Sequence, residues 1–111
     1  MAFKLVKRNK LPVLIKGELM GEDGKMVQFS FTLHCKRLTQ GECDDELKDR
    51  DGSVKAFLLK VAEGWDGMLD ESGVAIAFSE EAFGEVLNDT AGLHSVCYQA
   101  YLKAVGAVAK N

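Results

Sequence analysis

The run Val13-Leu14-Ile15-Lys16-Gly17-Glu18-Leu19-Met20 leads through Gly21-Glu22-Asp23-Gly24-Lys25 into Val27-Gln28-Phe29-Ser30-Phe31-Thr32-Leu33-His34. Its hydropathy repeats every second residue on both sides of a glycine-rich loop. Val13, Ile15, Gly17 and Leu19 alternate with Leu14, Lys16, Glu18 and Met20; Val27, Phe29, Phe31 and Leu33 alternate with Gln28, Ser30, Thr32 and His34. A period of two puts successive side chains on opposite faces of a strand. Two such runs around a short glycine-containing loop predict a β-hairpin. One face is strongly apolar, and a lone hairpin is marginal in water. The Phe29/Phe31 face therefore demands helices or further strands.

Downstream the period changes. Ser53 is placed to cap a helix over Val54–Glu63, whose Val54, Phe57, Leu58 and Val61 form one stripe. Gly64 stands where a helix-terminating glycine is favoured. A strand over Phe57–Val61 is the competing assignment. Trp65–Leu69 and Val74–Phe78 flank the turn-forming Asp70-Glu71-Ser72-Gly73. This pattern predicts two short extended segments, with room for a small second hairpin. Ser79 caps a helix over Glu80–Leu87, with Glu80 and Glu81 in the first turn and Phe78 stapling back. Asn88-Asp89 break that pattern. Thr90 is read as the cap of a last helix over Ala91–Ala109, with Leu93, Val96, Cys97, Ala100, Tyr101, Ala104, Val105 and Val108 on its apolar side. Its small-residue end serves either packing within the molecule or contact with another copy. Residues 1–11 read as a loosely ordered basic arm, and residues 36–52 as an exposed polar connection with one helical turn around Asp44–Lys48. The expected fold class is α+β: an N-terminal antiparallel hairpin packed against about three helices.

Composition narrows the function classes. At 111 residues, 47% hydrophobic and 28% charged, the chain fits a single domain, 1–111, with a core of its own. Cys35, Cys43 and Cys97 cannot all pair within the chain, which predicts reduced thiols in a cytosolic protein. Residues 1–8 have no apolar core of a signal peptide, and no apolar run is long enough for a membrane helix. Positive charge gathers in Lys4, Lys7, Arg8, Lys10 and Lys16, while the net charge is −3. A short basic arm on an acidic domain points to a solvated terminus, with no nucleic-acid or membrane partner expected.

The chemistry-bearing residues form no recognisable catalytic pattern. His34, Cys35, His94 and Cys97 are the most enzyme-like set. Neighbours on a strand point to opposite faces, so His34 and Cys35 cannot readily serve one zinc ion. No local feature activates a cysteine. The acids of Gly21-Glu22-Asp23-Gly24 would repel phosphate. The acids of residues 42–51 do not fall at calcium-loop spacing. No enzyme activity, cofactor or metal site is expected.

From Trp65 onward the chain reads Trp-x₄-Asp-x₂-Gly-x₄-Phe-Ser-x-Glu, then two helices, the second with Tyr98 and Tyr101, and ends in Lys110-Asn111. This resembles the C-terminal half of the tail assembly chaperones of long-tailed phages and prophages. In that family a W-x-G-V-x-D-x-D-G turn leads to P-F-S-x-E and an alanine-rich helix carrying tyrosine, with a Lys-Asn end. Trp65, Gly67, Asp70, Gly73, Phe78, Ser79, Glu81, Tyr101, Lys110 and Asn111 match; Met68, Ser72 and Ala77 depart from it. The resemblance implies a non-enzymatic protein of the host bacterial cytoplasm, left out of the mature virion. It would bind the helix-rich tape measure protein while the tail tube polymerises around it. A frameshift-extended form would recruit the tail tube protein, and self-association would be compatible with the role. Another phage tail or connector component is the alternative reading. Trp65, Gly67, Asp70, Gly73, Phe78, Ser79 and Tyr101 are then structural, with Trp65 and Phe78 substantially buried. Phe57, Leu58, Leu14, Met20, Val105 and Val108 are the candidates for partner contact.

Overall fold

A computed structural model describes residues 10–48 and 53–106. Strand β1 (Lys10–Met20) and strand β2 (Met26–Lys36) form the expected hairpin. Helix α1 (Gln40–Lys48) and helix α2 (Val54–Val61) follow, and strand β3 (Ala62–Asp66) leaves α2 directly. Helices α3 (Glu80–Asp89) and α4 (Leu93–Val105) complete the fold. It is α+β: an antiparallel sheet in the order β1-β2-β3, with α2, α3 and α4 packed on one face.

The hairpin register sets the core. Leu11 faces Cys35, Val13 faces Leu33 and Ile15 faces Phe31, and all six side chains are buried. Directly opposite residues share a face, so the odd-numbered positions form one apolar surface. Phe57, Leu58 and Val61 of α2, Phe83 and Leu87 of α3, and Leu93, Cys97 and Tyr101 of α4 close over it. The even-numbered face carries Lys10, Pro12, Leu14, Lys16, Glu18 and Met20 and stays exposed. At Gly17 the Phe29 ring crosses the strand: an added Cβ would lie 2.6 Å from Phe29 Cζ. The glycine leaves room for the ring to lie on the backbone.

The structure corrects several sequence assignments. Lys10 and Leu11 belong to β1, and Leu11 is core, so the arm stops short of them; residues 1–9 lie outside the described residues. The polar connection holds a full helix, α1, not one turn. Its start is a reciprocal cap: Thr39 Oγ1 accepts from the Glu42 amide at 3.2 Å, and Glu42 Oε1 accepts from the Thr39 amide at 3.0 Å. The strand alternative over Phe57–Val61 is overturned, because those residues are helical. That helix ends at Val61, not Glu63, and Gly64 does not cap it. Gly64 lies inside β3 opposite His34, because pairing with β2 satisfies the backbone that a longer helix would leave free. Thr90 does not start the last helix. Helix α3 runs through Asn88 and Asp89, Thr90 closes it, and Gly92, at φ +85°, reverses the chain into α4. The end of the last helix beyond Gly106 lies outside the described residues.

Candidate functional site

The joint from Trp65 to Ser79 is built around one ring. Trp65 sits on β3 opposite Leu33 and is buried. Its indole N–H donates to the Ile76 carbonyl at 2.7 Å. Its ring meets Phe78 edge-on at 5.1 Å and Phe83 at 6.0 Å. Phe78, half-buried, thus joins the strand to α3. Between them the chain makes a tight loop. Asp70 Oδ1 accepts from the Ser72 and Val74 amides, and the Gly73 amide donates to the Asp70 carbonyl. Gly73 takes φ +81°, a conformation that glycine enters without a Cβ penalty. Leu69 and Ala75 form one bridge, so the expected second hairpin is reduced to a single pair. Ser79 Oγ accepts from the Ala82 amide at 2.9 Å and starts α3 as expected.

A second joint holds α4 to the sheet. Tyr101 is fully buried; its hydroxyl donates to the Lys36 carbonyl at 2.7 Å and accepts from the Leu38 amide at 3.3 Å. Burial pushes its pKa up to about 12. Arg37 Nη1 donates to the Val105 carbonyl at 3.3 Å, where the helix C-terminus favours a cation. Both contacts tie the exit of β2 to the last turns of α4.

The four-residue histidine and cysteine set is split by the sheet. Cys35 and Cys97 are buried on the core side, and desolvation pushes both thiols up to about 12. His34 points to the other face, where Nε2 lies 2.7 Å from Asp66 Oδ2. His94 is exposed on α4. Protonated, buried thiols are poor nucleophiles and poor metal ligands. Among the described residues no group of histidine, cysteine and carboxylate side chains is arranged to hold a metal ion. No helix among them is long and apolar enough to cross a membrane.

Apolar surface, by contrast, is concentrated at the hairpin tip. Leu19, Met20, Met26 and Val27 are exposed there, and Leu69 and Val74 are exposed on the nearby loop. Beneath the tip runs an open groove of about 290 Å³, lined by Leu19, Phe29, Phe31, Gly67, Met68, Leu69, Val86 and Leu93. Helices α3 and α4 end their coverage here, and the two long strands project past them. Two expected contact residues are exposed, but on the outer face of the sheet and not in the groove: Met20 near the tip, and Leu14. Phe57 and Leu58 are not exposed. Both are core side chains, since their stripe is the one that α2 needs to bury against the sheet and α4. Val105 is half-buried against the core, with its carbonyl taken by Arg37. Val108 lies outside the described residues. The groove residues Leu19, Phe29, Met68 and Leu69 were absent from the sequence-based set. The available signal was strand length: an apolar alternation that outruns the helices able to cover it.

Comparison with family models, with curated proteins and with solved structures returns no match for this chain.

Proposed function

We propose that this protein is a non-enzymatic tail assembly chaperone of a long-tailed phage or prophage, and that it holds exposed helical faces of the tape measure protein before the tube closes around them. The observation that carries the reading is the uncovered apolar groove under the hairpin tip, with Met68 in its lining and exposed Leu19 and Leu69 at its edge. A chaperone for an amphipathic helix needs an apolar slot with a polar rim. Leu19, Phe29, Met68 and Leu69 supply the slot, and Ser30 and Thr90 supply polar groups in its lining. Methionine side chains adapt to varied apolar partners, which suits a client with many similar but unequal helix turns. Many weak sites along one client give avidity without tight single contacts. The resemblance of residues 65–111 to the chaperone family supports the same reading, with Trp65, Asp70, Gly73, Phe78 and Ser79 as framework and not as contact residues.

Co-expression with the tape measure protein encoded by the same phage or prophage tests the proposal. The client should stay in the supernatant with this protein and precipitate without it. Leu19→Asp together with Leu69→Asp should abolish the rescue while the fold persists. Equal precipitation of the client in both arms sinks the reading.

A further inference from the structure

Strand β1 lies at the edge of the sheet, and among the described residues no strand pairs with its outer side. The hairpin closes with the Gly21 amide donating to the Lys25 carbonyl at 2.8 Å. In an antiparallel ladder the hydrogen-bonded pairs alternate along the strand. The odd-numbered residues of β1 therefore bond β2, and Leu14, Lys16, Glu18 and Met20 turn their amides and carbonyls outward. Pro12, which has no amide hydrogen, falls in the same outward set, as an edge proline should.

We propose that this edge pairs with the same edge of a second copy, antiparallel and centred on Gly17, to make a continuous six-stranded sheet. The sequence of the edge selects that register. Centred on Gly17, Lys16 of each copy faces Glu18 of the other, and Leu14 faces Met20. Both opposite-charge pairs and both apolar pairs occur twice, as a twofold contact requires. Leu14 and Met20 are 56% and 65% exposed in the single chain. Centring on Lys16 or Glu18 would set like charges against each other. Centring on Leu14 or Ile15 would bring Pro12 into the ladder, where its missing donor leaves a gap. With Gly17 at the centre, Pro12 faces Glu22 beyond the strand. The ladder gains about eight backbone hydrogen bonds, two for each of its hydrogen-bonded pairs.

The placement also suits the helices. The end of α4 is tied to the base of the hairpin through Tyr101 and Arg37. Gly17 lies nearer the tip, so the two hairpin bases, with the α4 ends tied to them, lie on opposite sides of the twofold centre along the strands. The edge and the groove are separate surfaces, and this pairing does not depend on the chaperone reading.

Sedimentation equilibrium of the full chain, up to about 1 mM, tests the pairing together with amide exchange. A monomer–dimer equilibrium is expected, with the Leu14, Lys16, Glu18 and Met20 amides gaining protection as concentration rises. Lys16 and Glu18 face uncharged Ser30 and Gln28 within their own hairpin, so reversing either breaks no cross-strand ion pair there. Lys16→Glu alone and Glu18→Lys alone should each weaken the dimer on the order of tenfold or more. The double reversal should restore it, and the two single variants mixed together should pair with each other. A monomer throughout the range, a dimer indifferent to the reversals, or edge amides protected only when a different protein is added would each overturn the proposal.

Discussion

Tyr101 shows how one side chain can carry two jobs. Its ring packs edge-on against Phe57 at 5.5 Å, and its hydroxyl holds the backbone where β2 ends. Tyr101→Phe keeps the ring and leaves the Leu38 amide and Lys36 carbonyl without that partner. The expected loss is about 1–3 kcal/mol of unfolding free energy, read as a lower urea midpoint at unchanged slope. The thiols make a residue-scale prediction in pH. Cys35 and Cys97 hold their protons in the folded chain up to about 12, against an ordinary value of 9.0. Between those values the unfolded chain binds fewer protons than the folded one, so stability falls as pH rises through that window. The urea midpoint should be lower at about pH 10.5 than at about pH 8; a rise would contradict the assignment. In the native protein near neutral pH, half-buried Cys43 should react with a thiol reagent well before Cys35 and Cys97.

The elements differ in what starts and stops them. Ser53 and Ser79 each accept a bond from the amide three residues on, and both were legible as caps because the side-chain chemistry is local. Ser79→Ala should cost about 1 kcal/mol, seen as a shift in thermal midpoint. Gly73→Ala places a Cβ on a left-handed residue with open space around it, so the cost is backbone strain alone, about 1 kcal/mol. Helix α1 was also legible in part: Thr39-Gln40-Gly41-Glu42 has the spacing of a reciprocal cap. Its low apolar content led to the shorter assignment. Helix boundaries at Val61 and Thr90 were not legible. Whether Ala62–Asp66 continues a helix or becomes a strand depends on the free edge of β2, which lies far away in sequence. Gly64 and Thr90 fit a cap by type, but the backbone around them had other partners.

At the scale of the molecule, one core joins the sheet to α2, α3 and α4, and its loss should be felt as a whole. Leu58 is fully buried at its centre. Leu58→Ala should cost about 2–5 kcal/mol, a large share of a typical domain's stability, and amide exchange should accelerate across β1, β2 and α4 together. Trp65 reports the same event: its emission should be blue-shifted in the folded state and shift red in a single step with urea. Emission already red before unfolding would contradict its burial.

The sequence by itself determined the hairpin, its apolar face, the serine caps, the Asp70–Gly73 turn and the α+β class. Each rests on periodicity or on bonds between residues close in the chain, which survive without knowledge of the rest. Only the tertiary structure decided that Phe57 and Leu58 are core and Leu19, Phe29 and Leu69 line a groove. An apolar side chain has the same pattern whether a helix covers it or stops short of it. Coverage is set by where α3 and α4 end against strands that run past them, and that meeting is a property of packing between distant segments.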